Sequence, residues 1–304
     1  MNKANIILYG TGCCGRKAFD VLRDKYNVLA WVDRDECKQG LYYYSKPVIS
    51  MEELVKTFSS DSIEVVVALD DYYNVAKELN DLGLNVKGYY STITNKVLPW
   101  ENITWEIIKK RNPLRLYAGD LNEGMLDNYP DIVCLSITRN NFYSILQDIT
   151  ERFPLDNNSV DSFQSEDVAE HIDEKLQVFV LNEIYRVLKP GATFRWSLPD
   201  YGCSYLQERS FCNDKGETVF DPIGGGKYIG GKVEDGGHVW FPTYKKVKSI
   251  IDQSDFSKYR FYRYFTEFDG WYSKEIDFSI GYIYRIKEHD FRGIDTSIVV
   301  DCLK

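Results

Sequence analysis

The sequence predicts an α/β fold divided between two units, and three observations predict it. An apolar run, Ile6 to Tyr9, leads into Gly10-x-Gly12-x-x-Gly15 and then an amphipathic stretch. Apolar strand-like runs then alternate with helical periodicity over roughly the first third of the chain. Further on, a helical pattern over 172–188 is stopped by Lys189-Pro190-Gly191 and followed by an alternating strand. At 304 residues the chain is long enough for two domains with substantial cores.

The first unit is expected over residues 1–97. Its opening strand, glycine loop and helix, with Ala18, Val21 and Leu22 on one face, give the phosphate-binding arrangement of a Rossmann-like domain. There the first glycine permits a tight turn, the second lets a phosphate approach the backbone, and the third lets helix and strand pack closely. Free amides at the helix start suit an anion. A second strand, "NVLAWVD", ends in Asp33, placed to accept from ribose hydroxyls. A third, "IEVVVAL", precedes a helix carrying Val75, Ala76 and Leu79, and "NVKGYY" reads as a short fourth. Gly10, Gly12, Gly15 and Asp33 are thus the candidate nucleotide-binding residues. Pro99 and polar neighbours mark the boundary.

Composition narrows the function. With 37 basic against 46 acidic residues, a net of −9, the chain lacks the basic face of a duplex nucleic-acid binder. No run of 18 apolar residues predicts a membrane span, and the N-terminus does not read as a secretory signal. Seven scattered cysteines with no CxxC pair read as reduced thiols, which predicts a cytoplasmic protein. With only three histidines, no metal site is expected. The 15% aromatic content fits a sugar-binding surface and core packing equally.

The second unit is expected over 98–304. A helix bearing Ile172, Leu176, Phe179, Val180, Ile184, Val187 and Leu188 at helical spacing runs into "EIYRVLKPGATFRWSLPD" and ends there at Pro190-Gly191. Phe194, Trp196 and Leu198 then alternate as a strand. This stretch resembles the region before strand five of class I S-adenosylmethionine-dependent methyltransferases. "DITERFPLDNNSVDSFQSEDVAEHI", "GHVWFPTYKKVKSIIDQSDF" and "TSIVVDCLK" resemble other parts of those enzymes in the same order. The opening "GTGCCGRKAFDVL" region resembles the small Rossmann-like domain of bacterial sugar O- and N-acyltransferases, which implies a nucleotide-sugar ligand.

The methyltransferase resemblance implies S-adenosylmethionine as cofactor. Its glycine loop would fall at Tyr117-Ala118-Gly119 with Asp120, its ribose acid near Ser136, and its adenine-side acid at Asp148. Tyr117 stands where relatives carry glycine, and Ser136 where they carry a carboxylate. These departures predict weak cofactor binding. Glu166 and Asp167 either cap a helix or line the cleft beside Asp200. Methyl transfer needs alignment of the reactants and often a base, which favours histidine. His238, after the seven-glycine stretch Gly224–Gly237, is the candidate base, with that stretch a flexible lid or a plain connector. His171 reads as structural at a helix start, and His289 as a solvated surface residue.

The expected function is methylation of a hydroxyl or amine on a sugar or nucleotide-sugar in surface-polysaccharide-type biosynthesis. One rival is a non-catalytic nucleotide-sugar-binding protein with a degenerate methyltransferase domain. The other is an NAD-dependent oxidoreductase using Gly10, Gly12, Gly15 and Asp33.

Overall fold

The computed structural model describes residues 3–58, 63–266, 270–288 and 296–304. The chain separates into two compact units, Met1–Asn102 and Ile103–Lys304. Trp100 packs on Tyr73, 6.2 Å between ring centroids, which carries the first unit past Pro99.

The first unit comprises β1 (Asn5–Tyr9), α1 (Cys13–Leu22), β2 (Asn27–Val32), β3 (Tyr42–Tyr43), β4 (Lys46–Ile49), α2 (Met51–Thr57), β5 (Ile63–Val67), α3 (Tyr72–Asp81), β6 (Val86–Ser91) and β7 (Lys96–Leu98). They form one sheet in the order β3-β4-β2-β1-β5-β6-β7. Neighbours from β4 to β6 run parallel, and β3 and β7 are antiparallel edges. The parallel strands therefore follow the doubly wound order 3-2-1-4-5. The sequence reading anticipated four of these and missed β4. Pro47 disguises it, and only Val48 and Ile49 pair with β2. Ile6, Leu8, Trp31 and Val66 pack against Ala18, Phe19 and Leu22 of α1, which holds the helix on this face of the sheet.

The second unit opens with the short α4 (Trp105–Ile108), then β8 (Arg115–Ala118), β9 (Ile132–Ser136), β10 (Ser144–Leu146) and β11 (Val160–Glu166). It continues through α5 (Gln177–Val187), β12 (Leu188–Pro199), α6 (Ser204–Glu208), the hairpins β13/β14 (Phe211–Cys212, Thr218–Phe220) and β15/β16 (Lys227–Ile229, Lys232–Glu234), and α7 (Tyr244–Asp252). It closes with β17 (Lys258–Phe265), β18 (Trp271–Ser273), α8 (Tyr284–Glu288) and β19 (Ser297–Leu303). The main sheet runs β10-β9-β8-β11-β12-β19-β17-β18. Its first five strands repeat the 3-2-1-4-5 order in parallel, and β19 inserts antiparallel between β12 and β17.

Both faces of this sheet are covered, and strand residues divide between them with period two. Leu116, Val133, Leu135, Phe194, Trp196, Ile298 and Val300 join α5 and α7 in one core. Tyr117 and Cys134 point the other way, into a cluster with Leu121, Tyr129 and Tyr143 that Tyr282 and Tyr284 join. On that side the chain between β8 and β9 forms only a 3₁₀ turn, Glu123–Asn128. Aromatic side chains cover the face instead. The predicted helix over 172–188 is regular only from Gln177, and Phe179 is exposed rather than buried.

Candidate functional site

In the first unit the three glycines have three distinct environments. Gly10 has φ +107°, and a side chain there would strike Leu69 and the Ala68 carbonyl. A Cβ on Gly15 would lie 1.9 Å from the Gly10 carbonyl oxygen, so only glycine lets α1 sit this close to the loop. Gly12 has nothing within 4 Å and is the N-cap of α1 with no side-chain cap. The helix thus starts without a capping side chain, beside open space at Gly12. Asp33 is drawn into the loop. Its Oδ2 accepts from the Thr11 amide (3.1 Å), from the Thr11 hydroxyl and from Lys38 Nζ (3.2 Å). Burial pushes its carboxyl upward, but the bonds from Thr11, the Asp35 amide and Lys38 prevail and hold it below the usual range. A ribose at Asp33 would have to share the carboxylate with these donors.

In the second unit the carboxyl ends of β8, β9, β10 and β11 bring the remaining candidates to one edge. Order reverses between β8 and β11, the switch point at which open α/β sheets bind ligands. Gly119 turns the chain off β8 with φ +105°, and a Cβ there would meet Val168 at 2.8 Å. The Tyr117 ring lies in its packed cluster on Tyr129 rather than projecting from the loop. Ser136 is buried, and its hydroxyl oxygen accepts from the amides of Thr138 (3.0 Å) and Arg139 (2.8 Å). It folds the loop after β9 and leaves little capacity for a ligand. The exposed carboxylate at this point is Asp120, which accepts from the Thr138 hydroxyl at 2.8 Å. Asp148 lies after β10, where it caps a turn by accepting from the Thr150 amide and hydroxyl, both 2.8 Å.

Glu166 does not face a cleft. It accepts from Tyr129 Oη (2.6 Å), Gln164 Nε2 (2.8 Å) and the Tyr284 amide (2.9 Å), tying β11 to the aromatic cover. Burial raises its carboxyl to about 7. Asp200 is likewise internal. It accepts from the amides of Gly202 (2.9 Å) and Phe265 (2.6 Å), and burial lifts it to about 6. Asp167 pairs with Arg285 (2.9 Å) and caps no helix.

The histidines depart furthest from the sequence reading. His171 lies in a 3₁₀ turn, Ala169–His171, with its ring edge-on to His238 at 4.8 Å. His289 falls outside the described residues. The stretch Gly224–Gly237, read from the sequence as a flexible lid or a plain connector, contains the β15/β16 hairpin. Three of its glycines, Gly224, Gly226 and Gly237, serve close packing. A Cβ on Gly224 would fall 2.7 Å from the His238 ring, and one on Gly237 would fall 2.2 Å from the Gly225 carbonyl. His238 is almost buried. Its Nδ1 is 2.5 Å from Tyr201 Oη, which donates to Asp221 at 2.8 Å, and Asp221 is paired with Arg209. Its Nε2 faces Glu170 at 3.8 Å. Burial, together with the nearby His171, lowers the His238 imidazole to about 4. It is therefore neutral across the physiological range. Tyr201, Asp221 and Glu170 were not singled out from sequence, because each is a common residue type whose partners are distant in the chain.

A family model described as "Methyltransferase domain" matches residues 102–195, and one described as "C2185-like, N-terminal" matches residues 2–88. No curated protein sequence matches the chain. Among solved structures, an S-adenosylmethionine-dependent methyltransferase from Archaeoglobus fulgidus is 12% identical over 62% of this chain and 86% of its own, with a TM-score of 0.40. One from Thermotoga maritima, described as a possible histamine N-methyltransferase, gives 12%, 62%, 82% and 0.39. UDP-D-quinovosamine 4-dehydrogenase from Vibrio fischeri is 20% identical over 28% of this chain and 75% of its own, at 0.26. These scores are too low to carry an assignment, which rests on the family-model match and the strand order. The second unit of this chain contains a class I methyltransferase domain, whose cofactor is S-adenosylmethionine.

Proposed function

We propose that the protein transfers a methyl group from S-adenosylmethionine to a hydroxyl or amine of a sugar or nucleotide-sugar, and that its first unit binds the nucleotide part of such a ligand. The environment of Gly12 carries the sugar-nucleotide half of this reading. An uncapped helix start lies beside an open glycine, between two glycines that packing requires. That arrangement suits a phosphate group.

The residues of the second unit fit the methyl donor. Gly119 allows the backbone turn, and the exposed Asp120 offers acceptor oxygens for ribose hydroxyls beside Thr138, where Ser136 is already engaged. Asp148 lies one strand further out, on the side expected for the adenine. Bound there, the cofactor supplies an electrophilic methyl group. The protein's part is to align an acceptor with it and to receive the acceptor's proton. His238, neutral and linked through Tyr201 to Asp221, is the candidate group on the acceptor side. No helix among the described residues is long and apolar enough to cross a membrane.

Isothermal titration of the full chain with S-adenosylmethionine, NAD and UDP-sugars tests the reading. Binding of S-adenosylmethionine and a UDP-sugar, with methyl transfer to the sugar by mass spectrometry, is the expected result. UDP-sugar binding without cofactor binding would make the protein a non-catalytic binder, and NAD binding alone would favour an oxidoreductase.

A further inference from the structure

We propose that Glu170, His171 and His238 form a site for a divalent transition-metal ion of the zinc type. One donor atom from each residue lies within 4.8 Å of the other two. Glu170 is buried, and neither of its carboxylate oxygens has a hydrogen-bond partner. A lone buried carboxylate is costly unless paired or bound to a cation. Glu170 has no lysine or arginine ion pair among the described residues. Its charged neighbours are Asp167, which adds repulsion, and Arg285, which is committed to Asp167.

The hydrogen bonds around the two rings fix which nitrogens are free. His171 Nδ1 lies 2.9 Å from the Gly236 carbonyl and 3.2 Å from that of Gly237, so it carries the proton and donates. In the neutral ring its Nε2 then holds a lone pair. Tyr201 gives its single proton to Asp221, so its oxygen accepts from His238 Nδ1, which must carry a proton as well. His238 Nε2 is therefore a lone pair too, and it faces Glu170 at 3.8 Å. Two imidazole lone pairs and a carboxylate thus approach one another with no donor among them. A proton on Glu170 would satisfy one imidazole and leave the other without a partner, whereas a cation satisfies all three.

The tautomers are those of metal-ligating histidines, whose second nitrogen donates to a backbone carbonyl or a polar side chain. The scaffold is also braced. The amides of Val239 (2.8 Å) and Trp240 (3.1 Å) both donate to the Glu170 carbonyl, fixing the segment after His238 against the Glu170 turn. A donor set of two imidazoles and one carboxylate suits zinc and leaves a coordination position open. Bonds of about 2 Å require the donors to close in by roughly an ångström. An ion with an open position can bind an acceptor hydroxyl and lower its pKa, and with the ion bound His238 acts as its ligand instead of as the proton acceptor. Ion binding itself rests only on these side chains, not on the proposed methyl transfer.

The test uses the full chain, stripped with a chelator and dialysed. Zinc titration by calorimetry should give one site, zinc should raise the melting temperature, and cobalt should give the visible d–d bands of a nitrogen- and oxygen-ligated ion. E170Q and H171A should each weaken zinc binding by roughly a hundred-fold or more, beyond the 10- to 100-fold that loss of an outer partner costs. Y201F, which removes the hydrogen bond that orients His238 together with the one Tyr201 donates to Asp221, should weaken it by about ten-fold. Far-ultraviolet circular dichroism checks that each variant is folded, and H238Q replaces any that is not. No stoichiometric uptake by the wild-type chain, or uptake unchanged in folded E170Q and H171A, overturns the proposal.

Discussion

The polar chain Arg209–Asp221–Tyr201–His238 is where single residues matter most. Asp221 is fully buried and accepts from both Tyr201 and Arg209. Burial raises its carboxyl, but Arg209 and Tyr201 outweigh burial and hold it below the usual range. A depressed carboxyl stabilises the fold above its unfolded pKa of about 3.9, and that contribution disappears as pH falls through the lower folded value. Asp221→Asn should therefore cost about 3–5 kcal/mol at neutral pH, read by urea unfolding, and should flatten the acid limb of the stability profile. An unchanged midpoint would show that Arg209 finds another partner. His238→Ala should lower methyl transfer by about a hundred-fold or more. Unchanged turnover would remove His238 from the mechanism. The sequence pointed to His238 through the glycine-rich stretch before it and the aromatic residues after it. The tautomer-fixing role of Tyr201 was not, because 37 residues separate the two.

Among the elements, the glycine loop of the first unit was the most readable, since each glycine answers a local steric demand within one strand–helix pair. Gly15→Ala places a methyl group against the Gly10 carbonyl and should destabilise the chain by a few kcal/mol, about 1–3 for overpacking alone. Gly12→Leu enters open space and should leave the melting temperature nearly unchanged while abolishing nucleotide-sugar binding by calorimetry. Equal loss of stability in both variants would mean that Gly12 is structural. Elements without a strong period were missed. β4 is too short to alternate, and the 3₁₀ turns around His171 carry no helical pattern. The glycines of Gly224–Gly237 suggested motion, whereas Gly224, Gly226 and Gly237 permit close contacts at the β15/β16 hairpin and beside His238. Composition reports that glycine is needed; only the fold reports what it stands against.

At the scale of the whole second unit, the order of the sheet was legible through family resemblance, and the fastening of its two halves was not. Arg195 on β12 makes a bidentate pair with Asp301 on β19, at 2.8 and 2.7 Å, and donates to the carbonyls of Asp277 (2.7 Å) and Gly281 (2.5 Å). Arg195→Ala should cost about 3–5 kcal/mol by denaturant unfolding because it strands the Asp301 charge, and pairing Arg195→Met with Asp301→Leu should recover much of that loss. If the single variant is neutral, water reaches Asp301. The same pairing bears on how the chain is made. β19 occupies an interior place in the sheet, between β12 and β17, although it is synthesised after both. During translation β12 and β17 each present an open edge where β19 will later lie. The first unit can close on the ribosome, while the second waits for residues 297–303 to leave the exit tunnel. Premature release before that point leaves two unpaired strand edges, the kind of surface that recruits chaperones or aggregates.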